Sequence, residues 1–309
     1  VLTPTVSIAL LMKTQLKEQA LILGYLLVQC SVGMFFYILQ FIKGKCFFNK
    51  KYWIYAARFN IPLIPHYLSL IVLGQSDRIM IQYFCGESDA GIYSFAYQIA
   101  ATMSILLSAI NGSRVPWSYE QLRDRNYSSL RAISNALCVL IGAITLLASL
   151  MAPDMISILG TTEYRAAVYV IPIVVLGVYF TYCYDMFCTV EFYYGTTKFI
   201  MVASAIGALT NIVLNIIFIP RFGFAAAAYT TLASYIMLTY MHYLFMHRVM
   251  CYENIKEKIY DIRFTAALSA TLSICVFLSM LTYSNTWIRY GFLVILLTAL
   301  YFNRKRITD

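Results

Sequence analysis

Residues 200–246 read IMVASAIGALTNIVLNIIFIPRFGFAAAAYTTLASYIMLTYMHYLFM. Two apolar runs, 200–219 and 224–246, each match the roughly 20 residues a helix needs to cross a hydrocarbon core. Only Pro220-Arg221-Phe222-Gly223 parts them, a tight breaker that predicts a helical hairpin. Reading outward for runs of the same kind gives further spans near 18–42, 59–84, 91–113, 132–152, 168–192, 265–283 and 287–303. Residues 1–12 (VLTPTVSIALLM) read as the end of another span whose beginning is missing. The predicted fold class is all-α: a polytopic transmembrane helix bundle of about nine spans plus a partial one.

Composition requires the same solvent. Of 309 residues 61% are hydrophobic and 12% charged, against about 45–50% apolar and about 25% charged in soluble domains. The formal net charge of +9 comes from 23 Lys plus Arg against 14 Asp plus Glu. In a membrane protein such an excess collects in cytoplasmic loops, so it does not call for nucleic acid.

Successive loops alternate sides, and the basic residues follow that alternation. One set holds Lys43, Lys45, Lys50, Lys51 and Arg58, then Arg114, Arg123, Arg125 and Arg131, then Lys198, then Arg248, Lys256, Lys258 and Arg263, and finally Arg304, Lys305 and Arg306. The other holds only Lys13, Lys17, Arg78, Arg165, Arg221 and Arg289. The first set is predicted cytoplasmic, and the C-terminus with it. The stretch 43–58 (KGKCFFNKKYWIYAAR) sets Lys beside Phe47, Phe48, Tyr52, Trp53 and Tyr55 and is expected to lie in the cytoplasmic interface. On the far side the longest loop is expected over about 153–167.

The eight cysteines, Cys30, Cys46, Cys85, Cys138, Cys183, Cys188, Cys251 and Cys275, include no C-x-x-C pair and imply neither a disulfide framework nor a zinc site. No basic, apolar, small-residue leader is visible, and Val1 stands in mid-pattern without a start Met, so the N-terminus is expected to be truncated. Metalloprotease, hydrolase and P-loop signatures are lacking, and neither a metal nor a cofactor is implied. Of the three histidines, His242 and His247 are expected to snorkel at a span's cytoplasmic end. His66 sits in Pro62-Leu63-Ile64-Pro65-His66, where two prolines bend the first turns of span 59–84; a plain kink and a cavity-lining bend both fit.

Charges inside spans are expensive and mark candidate functional sites. Asp77 and Arg78 lie about a third of the way in from the outer end of span 59–84, roughly 100° apart around the helix, so each needs its own partner. Asp185 lies in span 168–192, flanked by Tyr182, Cys183 and Tyr184. Glu191 is close to that span's edge and is expected to be solvated; Arg114 ends its span, where snorkelling suffices. Ala203, Gly207, Asn211 and Asn215 fall at i, i+4 spacing on one helix face, a stripe expected to serve helix packing, and Asn111-Gly112 reads the same way.

Two blocks of these residues resemble a known family. Ser76-Asp77-Arg78-Ile79-Met80-Ile81, then Gly86, then Ala90-Gly91-Ile92-Tyr93-Ser94-Phe95-Ala96-Tyr97, is similar to the signature of bacterial polysaccharide and O-antigen flippases: an Asp-Arg near a span's end, a short outer loop, and a Gly-x-Tyr-x-x-Ala-Tyr start of the next span. Asn211 to Gly223, with Ala227-Ala228 and Thr231-Leu232-Ala233-Ser234-Tyr235, resembles the family's N-x-x-x-N, Ile-Pro, Gly, Ala-Ala, Ser-Tyr pattern, with Ala226 where a second Gly is usual. The resemblance covers roughly residues 10–250, and Pro62 and Pro65 fit it as well.

The resemblance implies the multidrug/oligosaccharidyl-lipid/polysaccharide exporter superfamily: two helical lobes around a central cavity, with much of the first lobe missing here. It divides the chain into the end of the first lobe (1–42), an interfacial linker (43–58), a six-span second lobe (59–246), a cytoplasmic loop (247–264) and two further spans with a basic tail (265–309). It implies no enzyme but a transporter of the bacterial inner membrane, moving an undecaprenyl-diphosphate-linked oligosaccharide between leaflets by alternating access. Its partners would be that lipid-linked substrate, membrane lipids, H+ or Na+, and polysaccharide assembly proteins. Arg78 and Arg114 are the candidates for the diphosphate, Asp77 and Asp185 for the coupling ion. A cation-coupled drug antiporter of the same superfamily would favour acidic cavity residues. A membrane-embedded polymerase or glycosyltransferase would carry a large extramembrane loop.

Overall fold

The structure, a computed structural model, describes residues 2–14, 17–46 and 48–308. Val1 and Phe47 lie outside the described residues, as do the side chains of Lys17, Arg304, Lys305 and Arg306. The described residues contain no strand. The chain divides into two compact units, 1–58 and 59–309.

The first unit holds α1 (Leu2–Lys13), α2 (Lys17–Gly44) and most of α3 (Lys50–Asn60). α1 and α2 pack as a hairpin. Gly24 faces the backbone of Ser7, where a Cβ would collide, and the Ser7 hydroxyl donates to the Leu21 carbonyl at 3.2 Å. α3 carries exposed Tyr52, Trp53 and Tyr55 beside Lys50 and Lys51, the arrangement an interfacial helix uses.

The second unit runs α4 (Leu63–Cys85), α5 (Glu87–Arg123), α6 (Tyr127–Leu150), α7 (Ala152–Leu159), a 3-10 helix (Thr162–Tyr169), α8 (Ile171–Tyr193), α9 (Thr197–Phe222), α10 (Ala225–Tyr252), α11 (Ile262–Leu281) and α12 (Thr286–Thr308). Each of the nine expected spans falls mainly on a single helix. Among the described residues, seven stretches can cross a membrane by length and composition: Gln19–Gly44, Lys50–Cys85, Glu87–Arg123, Tyr127–Leu150, Ile171–Tyr193, Thr197–Phe222 and Ile262–Leu281. Among the described residues α12 adds a shorter apolar stretch, Thr286–Thr298. α10 has 28 residues, about 42 Å at 1.5 Å per residue, and length is not what it lacks. Its Thr230, Thr231, Ser234 and His242 dilute its apolarity because they are buried against other helices rather than turned to lipid.

Four boundaries differ from expectation. The expected 91–113 span is a helix of 37 residues, about 55 Å long, continuing through Pro116 to Arg123; the proline leaves the Gly112 carbonyl without its helical donor but does not end the helix. Pro220 likewise stays within α9, and the turn is made at Gly223, whose φ of 75° suits only glycine well. At the start of span 59–84 the two prolines part α3 from α4 at residues 61–62. The expected loop 153–167 is folded into α7 and the 3-10 helix.

α8 forms the centre of this unit, buried over nearly its whole length and packed by α5, α6, α10 and α11. Between lipid-embedded helices apolar contact offers little drive, so close approach and hydrogen bonds carry association. Gly177 meets the Tyr235 ring at 3.4 Å and Gly207 meets Leu238 at 3.4 Å, counted from the Cβ each lacks. α4 packs on α9, and α9 on α10.

Candidate functional site

Asp77 sits on α4, eight residues (about 12 Å) from its Cys85 end. Its side chain is 1% exposed, and three other helices supply its donors. The Tyr93 hydroxyl of α5 donates to Oδ2 at 2.6 Å, the Thr231 hydroxyl of α10 to Oδ2 at 2.6 Å, and the Asn215 amide of α9 to Oδ1 at 2.7 Å. A second layer fixes these donors. Asn211 donates to Thr231 at 2.8 Å and accepts from Ser76 at 3.0 Å and Asn215 at 3.2 Å, while Thr230 donates to the Asn215 carbonyl oxygen. A carboxylate buried in this way is tolerable because its lone pairs are met by oriented donors.

Arg78 does not join this cluster. Its guanidinium donates to Gln75 on its own helix at 3.1 Å and lies 5.2 Å from the centre of the Tyr97 ring. Of the packing stripe, Gly207 does serve close contact. Asn211 and Asn215 hydrogen-bond across helix contacts, Asn215 to the Asp77 carboxylate and Asn211 to Ser76 and Thr231; Asp77 and Ser76 are hidden as partners in the sequence because they lie more than 130 residues away.

A second cluster joins α5 to α8. Asn111 bridges it: its amide donates to Asp185 Oδ2 at 2.9 Å, and its carbonyl oxygen accepts from Arg114 Nε at 3.0 Å. Arg114 Nη2 donates to the Thr189 hydroxyl at 3.3 Å, which donates to the Asp185 backbone carbonyl at 2.6 Å. The guanidinium stacks over Tyr182 at 5.5 Å. Arg114 is 4% exposed and therefore does not snorkel; the packing of α8 against α5 turns it inward. Its Nη1 meets no partner among the described residues. Arg114 also edges an open, mostly apolar groove of about 660 Å³ that Ile110, Ser113, Trp117, Ile133 and Leu137 line between α5 and α6. Along α5, Asn111 lies 18 residues beyond Tyr93, so the two clusters are about 27 Å apart.

Glu191 and His242 overturn two expectations. Neither solvated nor snorkelling, both side chains are fully buried, and His242 Nδ1 lies 2.8 Å from Glu191 Oε1. The His242 ring stacks on Tyr184, centroids 5.5 Å apart. Their places near span ends suggested water, but the wrap of α8 by α10 removes it. His66 contacts the Ser204 hydroxyl of α9 at 2.6 Å, so the bend behind it presents a side chain to a neighbouring helix rather than to a cavity. In the first turn of α12, Arg289 pairs with Asp154 of α7 at 2.8 Å. Outside the spans, Tyr260 donates to the Met186 carbonyl at 3.1 Å, and burial pushes its phenol above the usual range. Among the described residues, no group of three or more His, Cys, Asp or Glu is placed to hold a metal ion.

A multi-pass helical membrane protein with polar clusters buried between its spans is the class that fold and clusters define. Comparison with known proteins narrows it. Residues 1–122 match the family model described as polysaccharide biosynthesis protein. Over 112 residues the chain is 36% identical to a protein of the Lsg locus of Haemophilus influenzae, covering 34% of this chain and 27% of that one. An uncharacterized membrane protein of the same organism is 28% identical over 67% of this chain and 54% of its own length. One from Methanocaldococcus jannaschii is 24% identical over 71% and 44%. The chain thus spans about a quarter to a half of these relatives. In three dimensions it is similar to the lipid II flippase MurJ in an inward closed conformation, at a TM-score of 0.58 and 19% identity, covering 99% of this chain and 67% of that one. The fold is shared, and with the family match it bears out the resemblance to the polysaccharide exporters.

Proposed function

We propose that the full-length protein carries an undecaprenyl-diphosphate-linked oligosaccharide from the cytoplasmic to the periplasmic leaflet of a bacterial inner membrane, for surface polysaccharide assembly. On this reading residues 59–246 form the second lobe and residues 1–42 the end of the first. The Lys198 side of the bundle faces the cytoplasm, as the basic loops favour.

The observation that carries the proposal is Arg114: a buried guanidinium with an unpaired N–H at the edge of an open groove, in the half of α5 nearest the basic side. A diphosphate cannot be solvated by lipid. It needs planar, fixed donors, which a guanidinium already held by Asn111 and Thr189 supplies without reorganising. Asp185, tied to Arg114 through Asn111, and Asp77 are the candidates for answering a coupling cation, while Arg78 would contact the substrate from the opposite end.

Deleting the gene from its host tests the reading. The expected result is loss of surface polysaccharide with lipid-linked oligosaccharide accumulating in the cytoplasmic leaflet, restored by the wild-type gene and not by Arg114→Ala. Unchanged polysaccharide with altered drug resistance would instead favour an antiporter.

A further inference from the structure

We propose that Glu191 and His242 form a proton-binding site, which takes up and releases one proton as the cytoplasmic end of α8 and α10 opens and closes. This rests on the transport reading above and assigns H+ as the coupling ion.

The pair is enclosed, with both side chains 0% exposed and 2.8 Å apart. With one proton between them they are neutral overall, whether Glu191 carries it or His242 does. Without it a bare carboxylate is buried, and with a second proton a bare imidazolium. Either state costs several kcal/mol in a medium that cannot solvate it. While occluded, the pair therefore keeps one proton, and exchange waits for access to water.

The bonding is also incomplete in a way that a purely structural pair avoids. Glu191 Oε2 and His242 Nε2, the atoms that a second bond would use, meet no partner among the described residues. Asp77 shows the alternative, with three donors on its carboxylate. A proton arriving at the pair meets an unengaged acceptor atom, whereas both Asp77 oxygens already accept hydrogen bonds.

Charged and titratable neighbours surround the site. α8 contributes Tyr184, Asp185 and Cys188 on its own face, α4 contributes His66, and α5 contributes Arg114 beyond Asp185. Arg114 is tied through Asn111 to Asp185, not to Glu191, which leaves His242 as the partner that sets the Glu191 proton. The pair couples helices that pack closely along their length. Changing its charge therefore biases how tightly α8 and α10 close at this end.

Two measurements on the full-length protein test the site. In detergent, proton uptake between about pH 8 and about pH 5 is recorded with an indicator dye and by infrared carboxyl bands. Glu191→Gln, which keeps the shape and a hydrogen bond, is expected to lose the uptake and the carboxyl band that wild type shows. In vesicles of phosphatidylethanolamine and phosphatidylglycerol, a polyprenyl-diphosphate disaccharide is the probe. One proton per substrate and a gradient of about one pH unit should shift its leaflet distribution about tenfold. Glu191→Gln should exchange probe but show no shift.

Uptake and gradient response equal to wild type in Glu191→Gln overturn the site. His242→Asn, and the double variant of both, carry the same test where Glu191→Gln does not fold. Absence of probe flipping by wild type defeats the transport reading, while the uptake difference still decides the proton site.

Discussion

The Asp77 cluster and the Arg114 cluster are both buried polar assemblies on α5, yet they are finished differently. Around Asp77 four helices converge and the carboxylate accepts from three of them. Around Arg114 and the neighbouring Glu191–His242 pair, fewer helices meet, and Nη1, Oε2 and Nε2 are left without partners. Filled hydrogen-bonding capacity rigidifies and specifies packing, whereas unfilled capacity is a reserve for a ligand or a proton. The first cluster therefore reads as a fastener of the bundle and the second as its working end.

The sharpest way to break that contrast is Asp77→Ala, which strands Tyr93, Thr231 and Asn215 at once. It should cost about 2–4 kcal/mol and lower the melting temperature in detergent. Asp77→Asn, which keeps an acceptor, should cost nearer 1 kcal/mol. A wild-type melting temperature for Asp77→Ala would remove the fastener reading.

Arg114→Ala should invert the pattern, with a stability loss of only about 1–2 kcal/mol but polysaccharide export reduced at least about tenfold, equivalent to about 1.4 kcal/mol of binding. Arg114→Lys, charged but not planar, should fall between. Equal export by all three at equal expression would sink the role of Arg114.

Packing effects come next. Gly207→Leu should cost about 1–3 kcal/mol by forcing α9 from Leu238, while Gly207→Ala should be nearly silent, since its Cβ would meet Leu238 at an ordinary 3.4 Å. The smallest effect is expected at Arg123, which pairs with Asp124 in the open at 2.9 Å. The bond holds the Asp124 carboxyl below its usual range, but Arg123→Ala should leave the melting temperature unchanged because solvent screens the pair.

Much of the bundle was legible because each span is one continuous apolar run, and a run needs no partner to be recognised. Where apolarity failed as a guide, other residues were at work. Polar residues 114–123 extend α5 past Pro116, and Thr230, Thr231 and His242 make α10 an interior helix of lower hydropathy. Asp77, Arg114, Asp185, Asn211 and Asn215 stood out by type and depth. Their connections did not, since Tyr93, Thr231, Asn111 and Thr189 look unremarkable until folding supplies the partner. Glu191 and His242 were misjudged for a related reason: position along a span measures distance from its end, not the helices that cover it.

The length of α5 has a mechanical consequence. A continuous helix is stiff, and Tyr93 and Arg114 are 21 residues, or about 32 Å, apart on it. Clamped at Tyr93 and buried again at Arg114, Ser118 and Leu122, it transmits a tilt of one end to the other, with Tyr93 as the fulcrum. A tilt of about 10° there would swing Arg114 by about 5 Å, close to one helical pitch, enough to carry the guanidinium from one set of neighbours to the next.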